Sequence, residues 1–337
     1  MDSGLTFFAR PVLAIETSCD ETSVAVLSGD RVLANVVSSQ AELHEKWGGV
    51  VPEAASRAHV EAILPVLEEA LAISGLREFG AIAVTNRPGL VGALSVGVTA
   101  AKSLAYAWGI PLIGVNHLEG HLCSVYAGGG RTAYPCLTLM VSGGHTELVL
   151  VRGPLDYVEV GHTIDDAAGE AFDKGSRLLG LGYPGGRAIQ EAARSGSAGR
   201  YPLPKGLSGD TLDFSFSGLK TAMRRLVETH GSAISVPDAA ASLQRAIVSV
   251  LVERTARAAE RFSAASIALV GGVAANEALR AELGAEAARM GLAFSVPAFD
   301  LCTDNAAMIG IAGSLRLARG ERDDFGLDVF PNAALPR

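Results

Sequence analysis

Cysteine is scarce in this chain, and none of the four cysteines has another close by in sequence. They stand at Cys19, Cys123, Cys136 and Cys302, so there is no C-x-x-C pair. Such spacing excludes a disulfide scaffold and is typical of reduced thiols in the cytosol. We expect buried, inert side chains. A thiolate metal ligand stays open as the alternative for Cys123 and Cys302, which each lie two residues from a candidate ligand.

Long apolar runs and basic charge are also lacking. No uncharged, glycine-poor run is long enough to span a bilayer, and no basic segment followed by an apolar run and a cleavage site opens the chain. We therefore predict a soluble, cytoplasmic protein without a membrane partner. The net charge is −8, whereas a general polyanion binder is usually basic. Any nucleic-acid partner must then be held by a local basic patch or by other subunits.

Hydrophobic residues (49%) and glycine (39 residues) are abundant in the 337-residue chain. This length is sufficient for two lobes, each with its own core. Apparent strands alternate with amphipathic helices, which favours an α/β class. One helix is predicted at 57–73, with an apolar stripe formed by Val60, Ile63, Leu64, Leu67 and Leu71.

The opening layout of the chain occurs twice. Ser18 and Thr22, in a polar turn between two apparent strands, have the same separation as Ser142 and Thr146 in a later turn of the same kind. Two ordinary hairpins would give the same pattern. A duplication instead predicts two similar lobes with a nucleotide cleft between them.

The lobe boundaries follow from this duplication. We place the first lobe at 11–133 and the second at 134–302. A last helix of small and apolar residues, within 303–320, is expected to pack back on the first lobe.

Two of the seven histidines, His117 and His121, lie four residues apart in the segment NHLEGH. On a helix this spacing places both side chains on one face, where they could close on one metal ion with their imidazoles parallel. Two unrelated histidines would be an equally good explanation of the spacing alone.

The same segment argues against a zinc protease. Such enzymes use H-E-x-x-H, with the catalytic glutamate directly after the first histidine. Here Leu118 holds that position, and the acid is Glu119. Because Glu119 is two residues from each histidine, it should point away from their shared face.

Three glycine-rich turns follow predicted strands, at 142–144, 182–186 and 271–272. Glycine lets backbone N–H groups approach a phosphate closely, and a helix N-terminus adds a favourable dipole. The sequence has no G-x-x-x-x-G-K-[ST] motif and no G-x-G-x-x-G after a strand. Each turn alone is a weak signal, but together they favour a nucleotide site.

Charged segments complete the pattern. Four carboxylates fall within 165–174, where they could bind a ribose or a cation or be solvated. Segment 213–220 alternates aromatic and hydroxyl residues before a helix, for which Ser217 is the predicted N-cap. Basic residues recur at helical spacing in two groups, for each of which an ordinary solvated face is the favoured explanation: Lys220, Arg224 and Arg225, and Arg254, Arg257 and Arg261.

Taken together, these segments resemble the TsaD family of tRNA threonylcarbamoyladenosine transferases, once described as O-sialoglycoprotein endopeptidases. The similarity runs from about Val12 to Ala318. It rests on IETSCDET (15–22), VPEAASR (51–57), NHLEGH (116–121), VSGGHT (141–146), DDAAGEAFDK (165–174), DFSFSGLK (213–220), GGVAAN (271–276) and TDNA (303–306). The resemblance implies the two-lobed, duplicated α/β fold of actin, sugar kinases and chaperone ATPases.

The resemblance also implies an activity. The family transfers a threonylcarbamoyl group from threonylcarbamoyl-AMP to N6 of the adenosine adjacent to the anticodon in tRNAs that read A-starting codons, and AMP is released. Its iron or zinc ion corresponds to a site at His117, His121 and Asp304. Contacts to the adenylate correspond to Met140, Val141, Ser142, Gly143, Gly144, Asp173, Gly186 and Asn276.

Two positions depart from the family pattern, and two acidic residues are candidates for a general base. Arg87 stands where the family usually has glycine, and Gln190 where it often has an aspartate that meets the ribose. Gln190 can still hydrogen-bond a hydroxyl as a neutral group. Asp20 is our candidate for assisting proton removal from the attacking amine, with Glu21 as the alternative.

Partners and competing functions follow from the same likeness. Bacterial members work with a paralogous subunit, TsaB, and an ATPase, TsaE, in addition to the tRNA. A metal-dependent endopeptidase and a nucleotide-dependent regulatory ATPase of the same fold are the alternative functions, because a fold alone does not settle a function.

Overall fold

The computed structural model describes residues 4–47 and 49–335, and these form two compact units. The first unit comprises the described residues up to Thr132, the short segment Gly153–Tyr157 and the described residues from Pro297 onwards. The second comprises Ala133–Arg152 and Val158–Val296. Each unit contains one five-stranded sheet.

The first unit is built on a mixed sheet with the strand order β3-β2-β1-β4-β5. The central strand β1 is antiparallel to β2 and parallel to β4, and β5 continues the parallel part at one edge. Every residue of β1 is buried, as expected for a strand covered on both faces. The five strands are β1 (Val12–Glu16), β2 (Glu21–Ser28), β3 (Arg31–Ser39), β4 (Ala81–Arg87) and β5 (Leu112–Asn116).

Helices cover both faces of this sheet. Leu13 and Ile15 of β1 belong to a core cluster with α2 and α3, whereas the alternate residue Ala14 faces α10. Small residues let α10 approach the sheet closely, because a Cβ on Gly310 would overlap with Leu27 of β2 and crowd Ala14 of β1. The helices are α1 (Ala41–Glu45), α2 (Pro52–Ser74), α3 (Val91–Trp108), α4 (His117–Cys123) and α10 (Ala306–Ala318).

Helix α2 differs in two ways from the helix predicted at 57–73. It begins at Pro52. Proline suits the first turn, because the backbone N–H that it lacks would have no partner within the helix there. Val60 and Leu64, predicted to be in the core, are 62% and 64% exposed. The buried stripe instead runs through His59, Ile63 and Val66, because this side of the helix packs on the core cluster that includes β1.

The second unit repeats the topology of the first. Its strand β6 is antiparallel to β7 and parallel to β9, in the order β8-β7-β6-β9-β10. This order matches the first sheet strand for strand, so the duplication predicted from the sequence is confirmed. The strands are β6 (Cys136–Val141), β7 (Thr146–Gly153), β8 (Asp156–His162), β9 (Ser266–Val270) and β10 (Ala293–Ser295).

Among the described residues, five α-helices accompany this second sheet. The longest, α8, has 26 residues and packs against α6, α9 and β6. Within residues 4–47 and 49–335, no helix combines the length and apolar composition needed to cross a membrane. The helices are α5 (Ala168–Leu178), α6 (Gly185–Ala193), α7 (Ser217–His230), α8 (Val236–Arg261) and α9 (Glu277–Arg289).

Candidate functional site

The two histidines of the NHLEGH segment lie on α4, directly after β5. Asn116 ends β5 and caps the helix, because its Oδ1 accepts hydrogen bonds from the N–H groups of Leu118 (2.8 Å) and Glu119 (3.4 Å). His117 is therefore the first helical residue, and His121 follows one turn later. The predicted helical spacing of the pair is confirmed.

Asp304 meets both histidines. Its Oδ1 lies 3.1 Å from His121 Nε2 and 3.5 Å from His117 Nε2, and the three candidate ligand atoms lie within 4.8 Å of one another. The imidazole rings are 4.7 Å apart and inclined at 87°. The expected parallel arrangement is wrong, because each ring turns its Nε2 toward the same carboxylate oxygen from a different direction.

Asp304 is placed by the start of α10. The next residue, Asn305, caps this helix by accepting a hydrogen bond from the N–H of Met308 at 3.0 Å. The preceding segment, Phe299–Leu301, forms a short 3-10 turn. The third candidate ligand therefore sits between two ordered elements.

His117 is oriented from behind by Glu16, a fully buried residue at the end of β1. Glu16 Oε2 lies 3.0 Å from His117 Nδ1 and accepts a hydrogen bond from the hydroxyl of Thr85 at 2.6 Å. Its Oε1 accepts one from the N–H of Ser18 at 2.5 Å. Ligand histidines usually donate their second ring N–H to a carboxylate, which fixes the ring and its tautomer. Glu16 gives His117 this arrangement.

The electrostatics of this cluster favour a bound cation. Burial opposes ionisation of Asp304 and Glu16, yet His117 holds the pKa of each carboxyl below its ordinary value. Burial also opposes protonation of His117, but Asp304 and Glu16 raise its pKa well above the ordinary value. Two carboxylates thus make a positive charge stable beside buried imidazoles.

The donor set also fits a divalent metal ion. Two imidazole nitrogens and one carboxylate suit zinc or iron, and His117, His121 and Asp304 supply them. In the part of the chain that the structure describes, no other group of three His, Cys, Asp or Glu side chains could hold a metal in this way. We call these three residues the His-His-Asp cluster.

The cysteines do not contribute to this cluster. Burial raises the pKa of Cys19 and Cys123, which keeps both thiols protonated. Cys302 donates toward the carbonyl oxygens of Pro297 and Ala298. The thiolate alternative therefore has no support for Cys123 or Cys302.

Glu119 points away from the two histidines, as its spacing predicted. It is fully buried and forms a bidentate ion pair with Arg316 of α10, with Nε–Oε2 and Nη2–Oε1 distances of 2.5 and 2.9 Å. Arg316 also contacts Glu321 at 2.6 Å. A carboxylate engaged in this way cannot act as the base of a metallopeptidase, and the ion pair instead ties α4 to α10.

Asp20 and Glu21 lie where the turn after β1 leads into β2. Burial, followed by the charges of Asp304 and Asp20, raises the pKa of Glu21 well above its ordinary value. The backbone carbonyl of Asp20 accepts a hydrogen bond from the N–H of Gln40 at 3.0 Å. The influence of Asp304 on Glu21 indicates that the turn lies close to the His-His-Asp cluster.

In the second unit, the segment that follows β6 forms an exposed turn. The side chains of Met140 and Val141 are fully buried, so only their backbone could meet a ligand. Gly143 and Gly144 are exposed, and a Cβ on either would enter open space. The turn is closed by a hydrogen bond from the N–H of Ser142 to the carbonyl of His145 at 2.8 Å.

Two other glycines bring neighbouring elements against this turn. A Cβ on Gly169, at the start of α5, would lie 2.5 Å from the carbonyl oxygen of Ser142. Gly271 has a φ of +90°, and a Cβ there would collide with the carbonyl of Val141. Both positions therefore require glycine. The segments around 142–144 and 271–272 come together, as a shared ligand site requires.

The other predicted adenylate contacts already bind helix N-termini. Asp173 Oδ1 accepts a hydrogen bond from the N–H of Gly185 at 2.7 Å, beside Gly186. Gln190 Oε1 accepts one from the N–H of Glu277 at 2.8 Å. The role of these side chains in ligand binding stays a prediction, but their positions are fixed.

Asn276 has the same double use. Its Oδ1 accepts a hydrogen bond from the N–H of Leu279 at 3.0 Å and caps α9, and its Nδ2 donates to Gln244 at 2.9 Å. Since Gln190 bonds to the residue after Asn276, the structure brings these two predicted contacts together.

The charged segments have structural partners. Ser217 is not the N-cap of α7, because the helix begins at this residue and no side chain of its own caps it. Asp165 takes that role by accepting hydrogen bonds from the N–H groups of Phe216 (2.8 Å) and Ser217 (3.2 Å). A carboxylate from another segment satisfies two donors, which a serine hydroxyl alone could not do.

The second basic group is also engaged. Arg254 donates to the carbonyl oxygens of Leu207 and Thr211, both at 2.6 Å. Arg257 and Arg261 bind Gly209 and Asp210 of the same loop. These arginines hold a loop and are not a free basic surface.

Sequence reasoning missed three residues that support the site: Thr85, His59 and Arg316. His59 is fully buried on α2, where its Nε2 donates to the carbonyl of Cys19 (3.0 Å) and its Nδ1 accepts from the hydroxyl of Thr22 (2.7 Å). The signal was present, since a histidine on the core side of an amphipathic helix needs polar partners.

A polar cavity of about 440 Å³ lies beside the glycine turn of the second unit, lined in part by Glu147, Glu159 and His162. Burial, and then the charge of Glu159, raises the pKa of Glu147 to about 7. Its Oε2 is buried and makes no hydrogen bond to the described residues. The surroundings of this carboxyl therefore favour its neutral, protonated form.

A pH-dependent stability follows for Glu147→Gln. A raised folded-state pKa means that the folded protein binds more protons than the unfolded chain between the ordinary pKa of 4.5 and about 7, so the wild type loses stability as pH rises through this window. The free energy of unfolding of the variant, relative to that of the wild type, should therefore rise by about 2–3 kcal/mol between pH 4.5 and about pH 8. Urea unfolding of both proteins across this range measures the difference. A difference that stays constant with pH would contradict the assignment.

Solved structures share this architecture at low sequence identity. Full-length HypF in a phosphate- and nucleotide-bound form aligns with a TM-score of 0.61 and 12% identity, covering 94% of this chain and 48% of HypF. Component A of (R)-2-hydroxyglutaryl-CoA dehydratase from Acidaminococcus fermentans aligns with a TM-score of 0.53 and 13% identity, covering 92% and 99% of the two chains. These likenesses show the fold alone, which is a duplicated α/β fold with one five-stranded sheet in each unit.

Sequence comparison reaches further. The profile of the TsaD family, described as tRNA N6-adenosine threonylcarbamoyltransferase, matches residues 31–311. The tRNA N6-adenosine threonylcarbamoyltransferase of Anaeromyxobacter dehalogenans (strain 2CP-1) is 54% identical over 327 residues, which is 95% of this chain and 98% of the relative. The family expected from the sequence segments is therefore confirmed: this chain belongs to the TsaD family of tRNA N6-adenosine threonylcarbamoyltransferases.

Proposed function

We propose that this protein transfers a threonylcarbamoyl group from threonylcarbamoyl-AMP to N6 of the adenosine adjacent to the anticodon, in tRNAs that read A-starting codons. The new bond joins N6 to the carbamoyl carbon, the bond from that carbon to the phosphate oxygen of AMP breaks, and N6 loses a proton. Membership of the TsaD family carries this proposal. The His-His-Asp cluster supports it, because the cluster provides a built site for a cation.

The resident metal in this proposal is Fe²⁺ or Zn²⁺, held by His117, His121 and Asp304. When bound, the ion supplies a Lewis acid that polarises phosphate or carbamoyl oxygens. The chain's own residues prepare that site. Glu16 accepts a hydrogen bond from Nδ1–H of His117 and so directs Nε2 toward Asp304.

The glycine turn is the proposed binding place of the adenylate. Backbone N–H groups at Gly143, Gly144 and Gly272 are free of side-chain obstruction and could bind phosphate oxygens and developing negative charge. Asp173, Gly186 and Asn276 are proposed to contact the adenylate as well. Gln190, whose Oε1 is already bonded to the N–H of Glu277, has at most its amide N–H₂ to offer a ribose hydroxyl.

Asp20 is the proposed acceptor of the N6 proton. It lies in the turn that also carries Glu16 and Ser18, and both of these contact His117. Because His59 binds Cys19 and Thr22 on either side of Asp20, the turn is held in place. General base catalysis requires a carboxylate within reach of the proton, and these contacts fix the backbone that carries Asp20.

The two alternative functions have less support. The endopeptidase would need a base beside the metal, and Glu119 is paired with Arg316. The regulatory ATPase rests on the fold alone, which does not decide function.

Partners form part of the proposal. The net charge of −8 and the internal engagement of Arg254, Arg257 and Arg261 leave little basic surface for a polyanion on these elements. We propose that TsaB-type and TsaE-type subunits assist binding of the tRNA.

A reconstituted reaction tests this proposal. The protein, its candidate partners, unmodified tRNA and threonylcarbamoyl-AMP are incubated, and the tRNA is then digested to nucleosides. We expect threonylcarbamoyladenosine by mass spectrometry, together with one AMP per modified nucleoside. Peptide cleavage without tRNA, or ATP hydrolysis with no modified nucleoside, would support one of the alternatives instead.

A further inference from the structure

The segment that follows α10 runs along the outer edge of the first unit's sheet. Asp323 pairs with Leu112 of β5, donating its N–H to the Leu112 carbonyl at 2.8 Å. Its Oδ2 accepts a hydrogen bond from the N–H of Gly114 at 2.8 Å. These contacts cover the free edge of β5, as many proteins do to prevent unwanted strand pairing.

Beyond this edge, residues 328–334, which we call the strap, make a second set of contacts at the carboxyl ends of β4 and β5. The carbonyl of Asp328 accepts a hydrogen bond from Asn86 Nδ2 at 2.9 Å, and the N–H of Phe330 donates to the carbonyl of Asn86 at 2.9 Å. Protection of the edge strand does not require contacts at these ends.

The last contacts of the strap reach Gly89 and Asn116, the residue directly before His117. The N–H of Gly89 donates to the carbonyl of Pro331 at 3.1 Å, and Asn116 Nδ2 donates to the carbonyl of Ala334 at 2.9 Å. The family profile ends at residue 311, before every residue of the strap.

Each strap contact lies next to a group that holds His117. Asn86 follows Thr85, whose hydroxyl binds Glu16. Gly89 precedes Leu90, whose N–H donates to the carbonyl of Ser18 at 2.8 Å. The third, Asn116, directly precedes His117 and caps its helix.

Two of these neighbours touch His117 directly. Ser18 Oγ lies 3.1 Å from His117 Nδ1, and Glu16 Oε2 lies 3.0 Å from the same atom. The Gly89 backbone has a φ of +156°, and a Cβ there would lie 2.6 Å from the carbonyl oxygen of Ser18. The strap therefore contacts residues that pack tightly against Glu16 and Ser18, the two residues that bind Nδ1 of His117.

The amide of Asn116 links the strap to the helix most directly. Its Oδ1 must face the N–H groups of Leu118 and Glu119 to cap α4, while its Nδ2 donates to Ala334. The bond to Ala334 thus fixes which way the amide is turned. An incorrectly turned amide would place N–H₂ against the helix N-terminus, where an acceptor is required.

We propose that the strap is a positioning element for His117, which sets the orientation of this metal ligand from behind and thereby raises the affinity of the cluster for its ion. No residue of the strap belongs to the His-His-Asp cluster. This inference rests on the proposed metal-binding role of the cluster. It adds a segment outside the matched family profile to the machinery of the site.

Truncation after Phe330 tests the inference. This variant keeps the contacts at Leu112, Gly114 and Asn86 but removes the acceptors at Pro331 and Ala334. A chain that ends at Leu335 is the matched control, since it keeps every strap contact. We expect the dissociation constant for Co²⁺, followed by its visible absorption, to rise about 10-fold in the first truncation, the lower end of what lost outer partners cause. The control should match the full chain.

Asn116→Asp provides an independent variant, which decides the matter if the truncated chain does not fold. The aspartate retains the capping oxygen but cannot donate to Ala334. Its extra negative charge would by itself favour a cation, so weaker Co²⁺ binding and an altered Co²⁺ spectrum can only follow from lost orientation. We expect both.

The outcomes separate the two proposals. If the full chain does not bind Co²⁺, the proposed metal role fails. If the full chain binds and both variants bind equally well with unchanged spectra, the strap only protects an edge strand and the positioning role is refuted. Weaker binding with a changed spectrum in the folded variants supports it.

Discussion

Replacing His117, His121 or Asp304 with alanine should remove the bound metal and the transfer of threonylcarbamoyl together. Each residue supplies one of three ligand atoms within 4.8 Å of one another. Loss of an outer partner alone typically lowers metal affinity roughly 10- to 100-fold, so loss of a ligand should exceed about 100-fold. Metal content by mass spectrometry and modified nucleoside per tRNA measure the two effects on the same samples.

His230→Ala is the matched control for these variants, because His230 is an exposed histidine of the second unit and is not part of the cluster. It should retain the metal content of the wild type. Undiminished transfer by a His117→Ala protein that contains no metal would refute the catalytic role of the cluster.

Breaking the ion pair between Glu119 and Arg316 should lower the free energy of unfolding far more than breaking an exposed ion pair. Burial opposes the charge of Arg316, but Glu119 raises its pKa above the ordinary value. Arg316→Met would leave the carboxylate of Glu119, which has no exposed surface, without its bidentate partner. Removing one member of a buried pair costs about 3–5 kcal/mol. The free energy of unfolding, from urea titration, should fall by this amount.

An exposed pair provides the control. Arg57 and Glu53 lie four residues apart on α2, with side chains 77% and 78% exposed, and Arg57→Met should cost less than about 0.5 kcal/mol. The double variant Glu119→Gln with Arg316→Met should recover part of the loss, since no unpaired charge then remains buried. Equal losses for Arg316→Met and Arg57→Met would contradict the structural role that we assign to the buried pair.

Local sequence signals were sufficient for the central elements. Strand β6, Cys136–Val141, is an apolar run that ends at a glycine turn, which is a signal that the local sequence carries by itself. The repeated spacing of Ser18 and Thr22 with Ser142 and Thr146 led to the duplicated topology, which both sheets have.

Edge elements and long-range partners could not be predicted. Strand β3 is only partly buried and lacks a clear alternation of apolar residues. The bidentate partner of Glu119 is 197 residues away along the chain, and spacing carries no information about such contacts. Likewise, the geometry of the two imidazoles depends on Asp304, which comes from another element. The resemblance named the ligands, but only the fold gives their orientation.

The substrate-binding predictions illustrate a different limit. Asp173, Gln190 and Asn276 each use an oxygen to bind a helix N-terminus. A polar residue beside a glycine turn is compatible with a ligand contact and with a cap. The sequence alone could not reveal the second use, because it depends on which helix begins nearby.

Crystals of the metal-loaded protein provide the most direct test of this account. An anomalous difference map, collected on both sides of the absorption edge of the loaded metal, locates the ion without assumptions about activity. We predict a single strong peak bonded to Nε2 of His117, Nε2 of His121 and the carboxylate of Asp304. A peak elsewhere, or no peak in crystals whose protein contains one metal per chain, would contradict it.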